Sequence, residues 1–170
     1  INYRICCYYL INAMKEIKNN KNKLELFFVF STQEEVGLRG ARTSAFGINP
    51  DYAVAVDVTG TGDTPESPRM VVEIGKGVAI KIMDSAFITS PLIKEKLISY
   101  ARRIKVPYQL EILERGKNDA AIIQVIREGI LSGVLSIPTR YIHSPNEVCD
   151  LNDVNATIKL LIYCAEQGFE

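Results

Sequence analysis

Four residues that can bind a metal or transfer a proton stand out in this sequence: Glu34, Glu35, Asp57 and His143. A set of carboxylates and an imidazole, without thiolates, suits hard to borderline divalent cations such as Zn²⁺, Co²⁺ or Mn²⁺. Each residue lies near the end of a predicted strand or in the loop that follows one. Open α/β sheets place ligands at such positions. The pattern by itself is therefore compatible with a metal-dependent hydrolase.

The two adjacent glutamates follow the apolar run at residues 27–30, which we predict to be a strand buried on both faces. Two glycines, Gly37 and Gly40, come next. Neighbouring side chains on extended backbone point in different directions. Glu35 could therefore bind a metal while Glu34 faces the reacting water. The alternative is a solvent-exposed acidic turn, which is the commoner environment for a Glu-Glu pair taken alone.

Asp57 lies inside a valine-rich predicted strand, where a carboxylate is costly to bury unless it is paired or binds a metal. Lys76 and Arg140 are the alternative partners. His143 is the only histidine, and a lone histidine is more often a surface residue or a satisfied core residue than a ligand. Both residues therefore keep a structural alternative at this stage.

Apolar spacing and turn residues predict the elements that position these side chains. Helices are predicted at 4–18, 42–46, 91–105 and 119–127, and a final helix is capped by Asp150 or Asn152. Strands are predicted at 24–30, 52–58, 70–74, 78–83, 108–113 and 133–137, with a turn at 19–22 and a hairpin at 75–77. Alternating strands and helices indicate a layered α/β domain with a mostly parallel or mixed central sheet flanked by helices.

Composition excludes several classes of protein. Twenty basic residues balance twenty acidic residues, and a neutral chain without a basic block does not favour binding to nucleic acid or to an anionic membrane. No apolar run is long enough to span a membrane. The four cysteines form no C-x-x-C pair, so we expect reduced thiols in a cytoplasmic protein.

Five segments together resemble the TET-type, glutamyl-aminopeptidase-like family of dinuclear metallo-aminopeptidases, some of which are labelled endoglucanases. The first is Ser-Thr-Gln-Glu-Glu-Val-Gly-Leu-Arg-Gly-Ala at 31–41. The others are Ala-Val-Asp-Val-Thr at 55–59, Gly-Lys-Gly-Val-Ala-Ile-Lys at 75–81, Val-Pro-Tyr-Gln-Leu-Glu at 106–111 and Ile-Pro-Thr-Arg-Tyr-Ile-His-Ser-Pro-Asn-Glu-Val at 137–148. The similarity follows the order of the whole chain.

This resemblance implies the removal of N-terminal residues from peptides by a homo-oligomeric enzyme with two divalent ions, Zn²⁺, Co²⁺ or Mn²⁺. Glu34 would be the general base, which takes a proton from water and later gives it to the leaving amine. Glu35 and His143 would bind one metal, and Asp57 the second. The 170 residues are then expected to form a single, N-terminally incomplete catalytic domain.

Two departures from the family pattern support an alternative function. Asn2 aligns with an aspartate that bridges both metals in the family, and a neutral amide cannot bridge two cations as a carboxylate does. The family also uses a histidine from an N-terminal segment that these residues do not include. We therefore expect weak or partial metal occupancy, and a catalytically impaired remnant or assembly subunit is the second hypothesis. An endoglucanase, which needs two carboxyls facing one bond about 5–9.5 Å apart, is the third.

Overall fold

The structure is a computed structural model that describes the backbone of residues 2–17 and 24–169. Side chains are described for residues 4–17 and 24–169. The predicted turn at 19–22 and the predicted end of the first helix at Lys18 lie outside these residues. The elements, in chain order, are α1 (Asn2–Glu16), α2 (Arg39–Ile48), β1 (Tyr52–Thr59), β2 (Val78–Met83), α3 (Pro91–Arg103), β3 (Tyr108–Ile112), α4 (Asp119–Ile123), β4 (Leu131–Arg140), β5 (Val148–Cys149) and α5 (Leu151–Gln167).

The central sheet has the strand order β1-β4-β2-β3, with the short β5 paired to β4. β1 runs parallel to β4 along its whole length, and β2 runs parallel to β3. β2 and β4 are antiparallel, so the sheet is mixed. The predicted layered α/β class is confirmed. Because β1 and β4 are parallel, their carboxyl ends reach the same edge of the sheet, and Asp57 and the segment that leads to His143 both lie at that edge.

The main core forms where apolar faces of α1, α3 and α5 pack with the central strands. α3 buries Ile93, Leu97, Tyr100 and Ala101, which is the spacing expected of an amphipathic helix. Gly133 in β4 permits close packing, because a Cβ atom there would lie 2.5 Å from Ile93 Cγ2. Of the helices in the described ranges, none is long and apolar enough to cross a membrane.

The prediction of a strand at residues 24–30 is wrong. These residues have no strand assignment and pair with no strand of the described chain. Phe27 and Phe30 remain 53% and 46% exposed, although the run at 27–30 was predicted to be buried on both faces. A run of apolar residues forms a buried strand only where neighbouring strands can pair with it. Residues 24–30 line the same cavity as β1, but the strand that pairs with β1 in the described chain is β4.

The predicted strand at 70–74 and hairpin at 75–77 are also wrong. β2 pairs with β3 and β4 instead of pairing with 70–74. The backbone N–H groups of Gly75 and Gly77 each donate to the Asp153 carboxylate at 2.7 Å. Gly77 has a φ of +95°, and a Cβ atom there would lie 2.0 Å from the Pro107 carbonyl oxygen. The glycines thus join β2 to the start of α5 and do not form a hairpin.

The bounds of α2 and α4 differ from the predictions, and the structure decides between the two predicted caps of α5. α2 begins at Arg39 and ends at Ile48, so it is longer than the predicted segment 42–46. α4 ends at Ile123 instead of continuing to 127. Asp150, and not Asn152, caps α5, because its side chain accepts a hydrogen bond from the Asn152 backbone N–H at 2.6 Å.

Candidate functional site

The turn that carries the paired glutamates is fixed by backbone hydrogen bonds. The Glu34 carbonyl accepts from the N–H groups of Gly37 and Leu38, at 3.1 and 2.9 Å. The Gly40 N–H donates to the Thr32 carbonyl at 2.9 Å. Gln33 and Leu38 both have φ near +57°, an uncommon conformation for non-glycine residues that is often found in functional loops. The turn therefore has a defined shape and leads directly into α2.

Gly40→Ala should disturb this turn, because a Cβ atom at Gly40 would lie 2.4 Å from the Thr32 backbone nitrogen. We expect the substitution to lower the free energy of unfolding by about 1–3 kcal/mol, the usual cost of overpacking. Gly47→Ala is the matched control in the same helix, since a Cβ there meets nothing within 4 Å; it should be neutral or stabilise by up to about 1 kcal/mol. Urea titration of both variants measures the difference, and equal values would contradict this role of Gly40.

Glu35 and His143 are in direct contact. Glu35 Oε1 lies 3.1 Å from His143 Nε2, and the two side chains are 51% and 61% exposed. His143 has a φ of +62°, and its backbone N–H donates to Glu147 Oε1 at 2.8 Å. The loop between β4 and β5 therefore presents the imidazole to the glutamate turn from a distant part of the sequence.

The base of this loop is attached to the segment that follows β1. Arg140, the last residue of β4, makes a bidentate contact with Asp63 at 2.7 and 3.2 Å. The hydrogen bonds from Arg140 hold the pKa of Asp63 well below its usual range. Arg140 was an alternative partner for Asp57, and the structure pairs it with Asp63 instead. The Arg140–Asp63 ion pair therefore links the loop that carries His143 to the loop that follows β1.

Asp57 lies near the carboxyl end of β1 and is partly buried. Burial raises the pKa of Asp57 to about 8, and the negative charge of Glu34 contributes to the increase. The Val58 N–H, which donates to Asp57 Oδ1 at 2.8 Å, and the positive charge of Lys81 both lower this pKa. Asp57 and Glu34 also line the same cavity of about 530 Å³. An anion at Asp57 would therefore be stabilised by an added cation.

The raised pKa of Asp57 predicts a pH dependence in protein kept metal-free with a chelator. The pKa of Asp57 is 3.8 in its ordinary state and about 8 in the folded protein. At pH values between these two, Asp57 binds a proton in the folded protein and releases it in the unfolded chain. The contribution of Asp57 to the free energy of unfolding therefore falls as pH rises, by at most about 1.4 kcal/mol per pH unit. Asp57→Asn should remove this part of the decline, and the exposed Asp51→Asn should retain it. Denaturant titrations from pH 4 to pH 8 test this, and identical slopes for wild type and Asp57→Asn would contradict it.

A buried ionic network lies near Asp57. Lys81 of β2 pairs with Glu111 of β3, and their side chains are 3% and 0% exposed. Thr59 Oγ1 donates to Glu111 Oε1 at 2.7 Å, and Asp84 Oδ2 lies 3.9 Å from Lys81 Nζ. The charges of Lys81 and Glu111 act on the pKa of Asp57 in opposite directions. The sequence analysis did not identify this pair, although a lysine in the otherwise apolar β2 is open to the same burial argument that was applied to Asp57.

The donor geometry of Glu35 and His143 fits a shared divalent cation. Two ligand atoms, each about 2.1 Å from a tetrahedral ion, lie about 3.4 Å apart, and the observed separation is 3.1 Å. Asp57 does not join them: within residues 2–17 and 24–169, no three His, Cys, Asp or Glu side chains form a group that could hold a metal. The structure thus brings Glu35 to His143 and places Glu34 near Asp57. The side chain of Asn2 lies outside the described part of the chain.

The sequence matches a known protein family over most of its length. Residues 2–160 match the profile of the family described as M42 glutamyl aminopeptidase. A putative aminopeptidase from Acetivibrio thermocellus is 51% identical over 156 residues, which are 92% of this chain and 47% of that protein.

Two solved structures are similar over nearly the whole chain. An aminopeptidase from the archaeon Desulfurococcus kamchatkensis superposes with a TM-score of 0.94 at 37% identity, covering 99% of this chain and 48% of that one. The TET1 peptidase of Pyrococcus horikoshii, described as able to assemble into a tetrahedron or a large octahedral shell, has a TM-score of 0.81 at 32% identity, with 96% and 48% covered. The 170 residues therefore span about half the length of these relatives.

Proposed function

Because this chain belongs to the M42 glutamyl aminopeptidase family, we propose that it contributes the general base and metal ligands for hydrolysis of N-terminal residues from peptides. The observation that carries the proposal is the contact between Glu35 and His143, at 3.1 Å. These two residues lie in separate motifs, and a histidine and a carboxylate are suitable ligands for one divalent ion.

We assign Glu35 and His143 to one divalent ion and Asp57 to a second, with Zn²⁺, Co²⁺ and Mn²⁺ as the candidates. When bound, such ions polarise the scissile carbonyl and make water a stronger acid. Because Asn2 provides an amide where the family pattern has an aspartate that bridges both metals, we expect weak or partial metal occupancy, with one or both ions lost. The raised pKa of Asp57 supports the need for a cation there.

Glu34 is assigned as the general base. It takes a proton from the attacking water and returns it to the amine that leaves the scissile bond. Glu34 lies on the cavity that also contains Asp57, and Glu35 faces His143. This divergence supports separate roles for the two adjacent carboxylates.

The acidic lining of the cavity suits a free amino terminus. Among its described lining residues are five acidic side chains and no lysine or arginine; the acids are Glu25, Glu34, Asp51, Asp57 and Asp119. A protonated amine is attracted to such a surface. Cleavage would then be limited to terminal residues, because an internal peptide segment carries no α-ammonium group to bind at this surface.

The proposed function includes an oligomeric state and a cellular location. We propose a homo-oligomer, by analogy with the Pyrococcus horikoshii peptidase that forms closed shells. The four cysteines are free thiols, which supports a reducing, cytoplasmic location. The endoglucanase hypothesis is not favoured, because Glu35 is engaged by His143 and does not face a common bond with Glu34. If the chain is a catalytically impaired subunit, it will bind metal without hydrolysing the aminoacyl anilide in the assay described below.

Metal binding tests the ligand assignment directly. We expect Glu35→Gln and His143→Ala each to weaken Co²⁺ binding by at least about 10- to 100-fold, the loss commonly seen when even outer groups of a metal site are removed. Glu128→Gln is the control, because Glu128 is exposed and follows α4. It should leave the Co²⁺ affinity unchanged. Titration calorimetry and the visible absorption of bound Co²⁺ provide readouts that do not require activity.

The activity assay is release of p-nitroaniline from an aminoacyl anilide in the presence of Co²⁺. Metal binding with no hydrolysis above the buffer rate would favour the impaired subunit. Unchanged Co²⁺ affinity in both ligand variants would overturn the assignment of Glu35 and His143.

A further inference from the structure

A side-chain hydrogen bond attaches the turn that carries Glu34 and Glu35 to α4. Ser31, which lies just before this turn, donates through its hydroxyl to Asp119 Oδ2 at 2.5 Å. Both residues are partly buried, and they lie 88 positions apart in the chain. Backbone hydrogen bonds within residues 32–40 give the turn its shape. The bond between Ser31 and Asp119 fixes the position of the turn against another element of the fold.

The end of α4 that accepts this hydrogen bond is itself anchored in the protein interior. The buried Asn118 caps α4, because its side chain accepts from the Ala120 N–H at 2.8 Å. The amide of the same side chain donates to Asp84 Oδ2 at 2.6 Å. Asp84 is also buried and lies 3.9 Å from Lys81 Nζ. Asp119 is therefore the first residue of a helix whose start is held by buried polar side chains.

A small apolar cluster joins the other end of the turn to the same helix. Leu38 is buried together with Ala120 and Ala121 of α4 and Ala55 of β1. The strand that contributes Ala55 also carries Asp57. α4 therefore meets both ends of the turn, with polar side chains at one end and apolar side chains at the other.

We propose that Asp119 is a positioning residue for the reaction, because through Ser31 it holds the turn so that Glu34 stays on the cavity that it shares with Asp57. This inference rests on the proposed function, since it concerns the placement of the proposed base. A carboxylate accepts a strong hydrogen bond from a hydroxyl group, so the pair is well suited to fix the turn. A displacement of about 1 Å at a reacting group can lower a rate about 100-fold.

Direct contact of Asp119 with the amino group of a substrate is the alternative role, since Asp119 also lines the cavity. The buried position of Asp119 Oδ1 and the hydrogen bond at Oδ2 favour the positioning role. The two roles have different requirements. The hydrogen bond from Ser31 needs an acceptor oxygen, which Asp119→Asn retains, whereas attraction of an ammonium group needs the negative charge.

Matched substitutions with kinetic readout test the hydrogen bond. Ser31→Ala and Asp119→Ala should each lower kcat for an aminoacyl anilide about 10- to 100-fold in Co²⁺-loaded protein, with KM changed by less than about two-fold. Ser31→Thr and Asp119→Asn keep the donor and the acceptor, so they should retain most of the wild-type kcat. The double alanine variant should be no slower than the slower single variant, because the two residues act through one bond. Ser44→Ala is the control, since the partly buried Ser44 hydroxyl donates to carbonyls within α2; it should leave kcat and KM unchanged.

Hydrogen exchange provides a second readout that does not require activity. The amides of Gly37, Leu38 and Gly40 donate hydrogen bonds within the turn. They should exchange about 3- to 10-fold faster in Ser31→Ala and in Asp119→Ala, as expected from the loss of one hydrogen bond. In Ser31→Thr, Asp119→Asn and Ser44→Ala, their exchange should match the wild type.

Wild-type kcat in Ser31→Ala, unchanged exchange of the turn amides, or additive losses in the double variant would overturn the proposal. A raised KM with normal kcat in Asp119→Asn would assign Asp119 to the substrate amine and would also overturn it. If Asp119→Ala does not fold, the comparison of Ser31→Ala with Ser31→Thr decides. If the wild type binds Co²⁺ without hydrolysing the anilide, the proposed activity fails, and the exchange pattern decides whether Asp119 holds the turn.

Discussion

Replacing Glu34 with glutamine is expected to lower kcat for an aminoacyl anilide by about 10²- to 10⁴-fold, the usual contribution of general acid–base catalysis. Glutamine keeps the size of the side chain and one acceptor oxygen, but it cannot accept a proton from water at neutral pH. Because Glu34 lies beside Asp57 on the cavity and apart from the Glu35–His143 contact, KM and Co²⁺ affinity should change much less than kcat. This prediction rests on the proposed function.

Glu95→Gln is the matched control, because Glu95 is exposed on α3. It should leave kcat, KM and Co²⁺ affinity unchanged. Steady-state kinetics on metal-loaded protein and calorimetric Co²⁺ titration separate the two effects. If Glu34→Gln retains most of the activity of the wild type, another group takes the proton. If it loses Co²⁺ binding together with activity, Glu34 is a ligand and the roles of the two glutamates have to be exchanged.

The sequence was sufficient where structure is determined locally. The amphipathic spacing of α3 and the capping carboxylate of α5 are properties of neighbouring residues, and both appear in the structure at the predicted places. The valine-rich run around Asp57 forms β1. The prediction that Glu34 and Glu35 diverge because they lie on extended backbone had a wrong premise, since both residues lie in a hydrogen-bonded turn.

Pairing between distant segments could not be predicted in the same way. Residues 24–30 have the composition of a buried strand, but composition does not identify the neighbour that a strand needs. The sequence at 75–77 resembles a hairpin turn, yet the partner of its N–H groups is Asp153, far along the chain. The contact between Glu35 and His143 was expected through a family resemblance, because no spacing rule relates the two positions.

A charged residue inside a predicted strand indicates a buried ionic group, and the sequence analysis used this signal for Asp57 alone. Asp57 was recognised because a carboxylate is costly to bury. Lys81 and Glu111 are buried more completely, and Lys81 interrupts an otherwise apolar strand. Applying the burial argument to every charge in a predicted strand would have identified this pair, although it would not have shown that the two residues contact each other.

Lys81→Met is expected to lower the free energy of unfolding by about 3–5 kcal/mol, the typical cost of removing one partner of a buried ion pair. The substitution leaves the Glu111 carboxylate, which is completely buried, with the Thr59 hydroxyl at 2.7 Å as its described hydrogen-bond donor. One neutral donor does not compensate for the loss of a cation in a site that excludes water. Denaturant titration at pH 7 measures the loss.

The double variant Lys81→Met/Glu111→Leu should recover most of that stability, because it replaces both charges with apolar side chains and leaves no buried anion at this position. The recovery will be incomplete, because Thr59 loses its hydrogen-bond acceptor. The buried Asp84 carboxylate keeps its hydrogen bonds from Asn118 and the Ala86 N–H but loses the nearby Lys81 cation. Lys159→Met on the exposed surface of α5 controls for the loss of a lysine and should change stability by less than about 0.5 kcal/mol. A small effect of Lys81→Met, or additive losses in the double variant, would show that water reaches Glu111 in solution and that the pair is not a buried one.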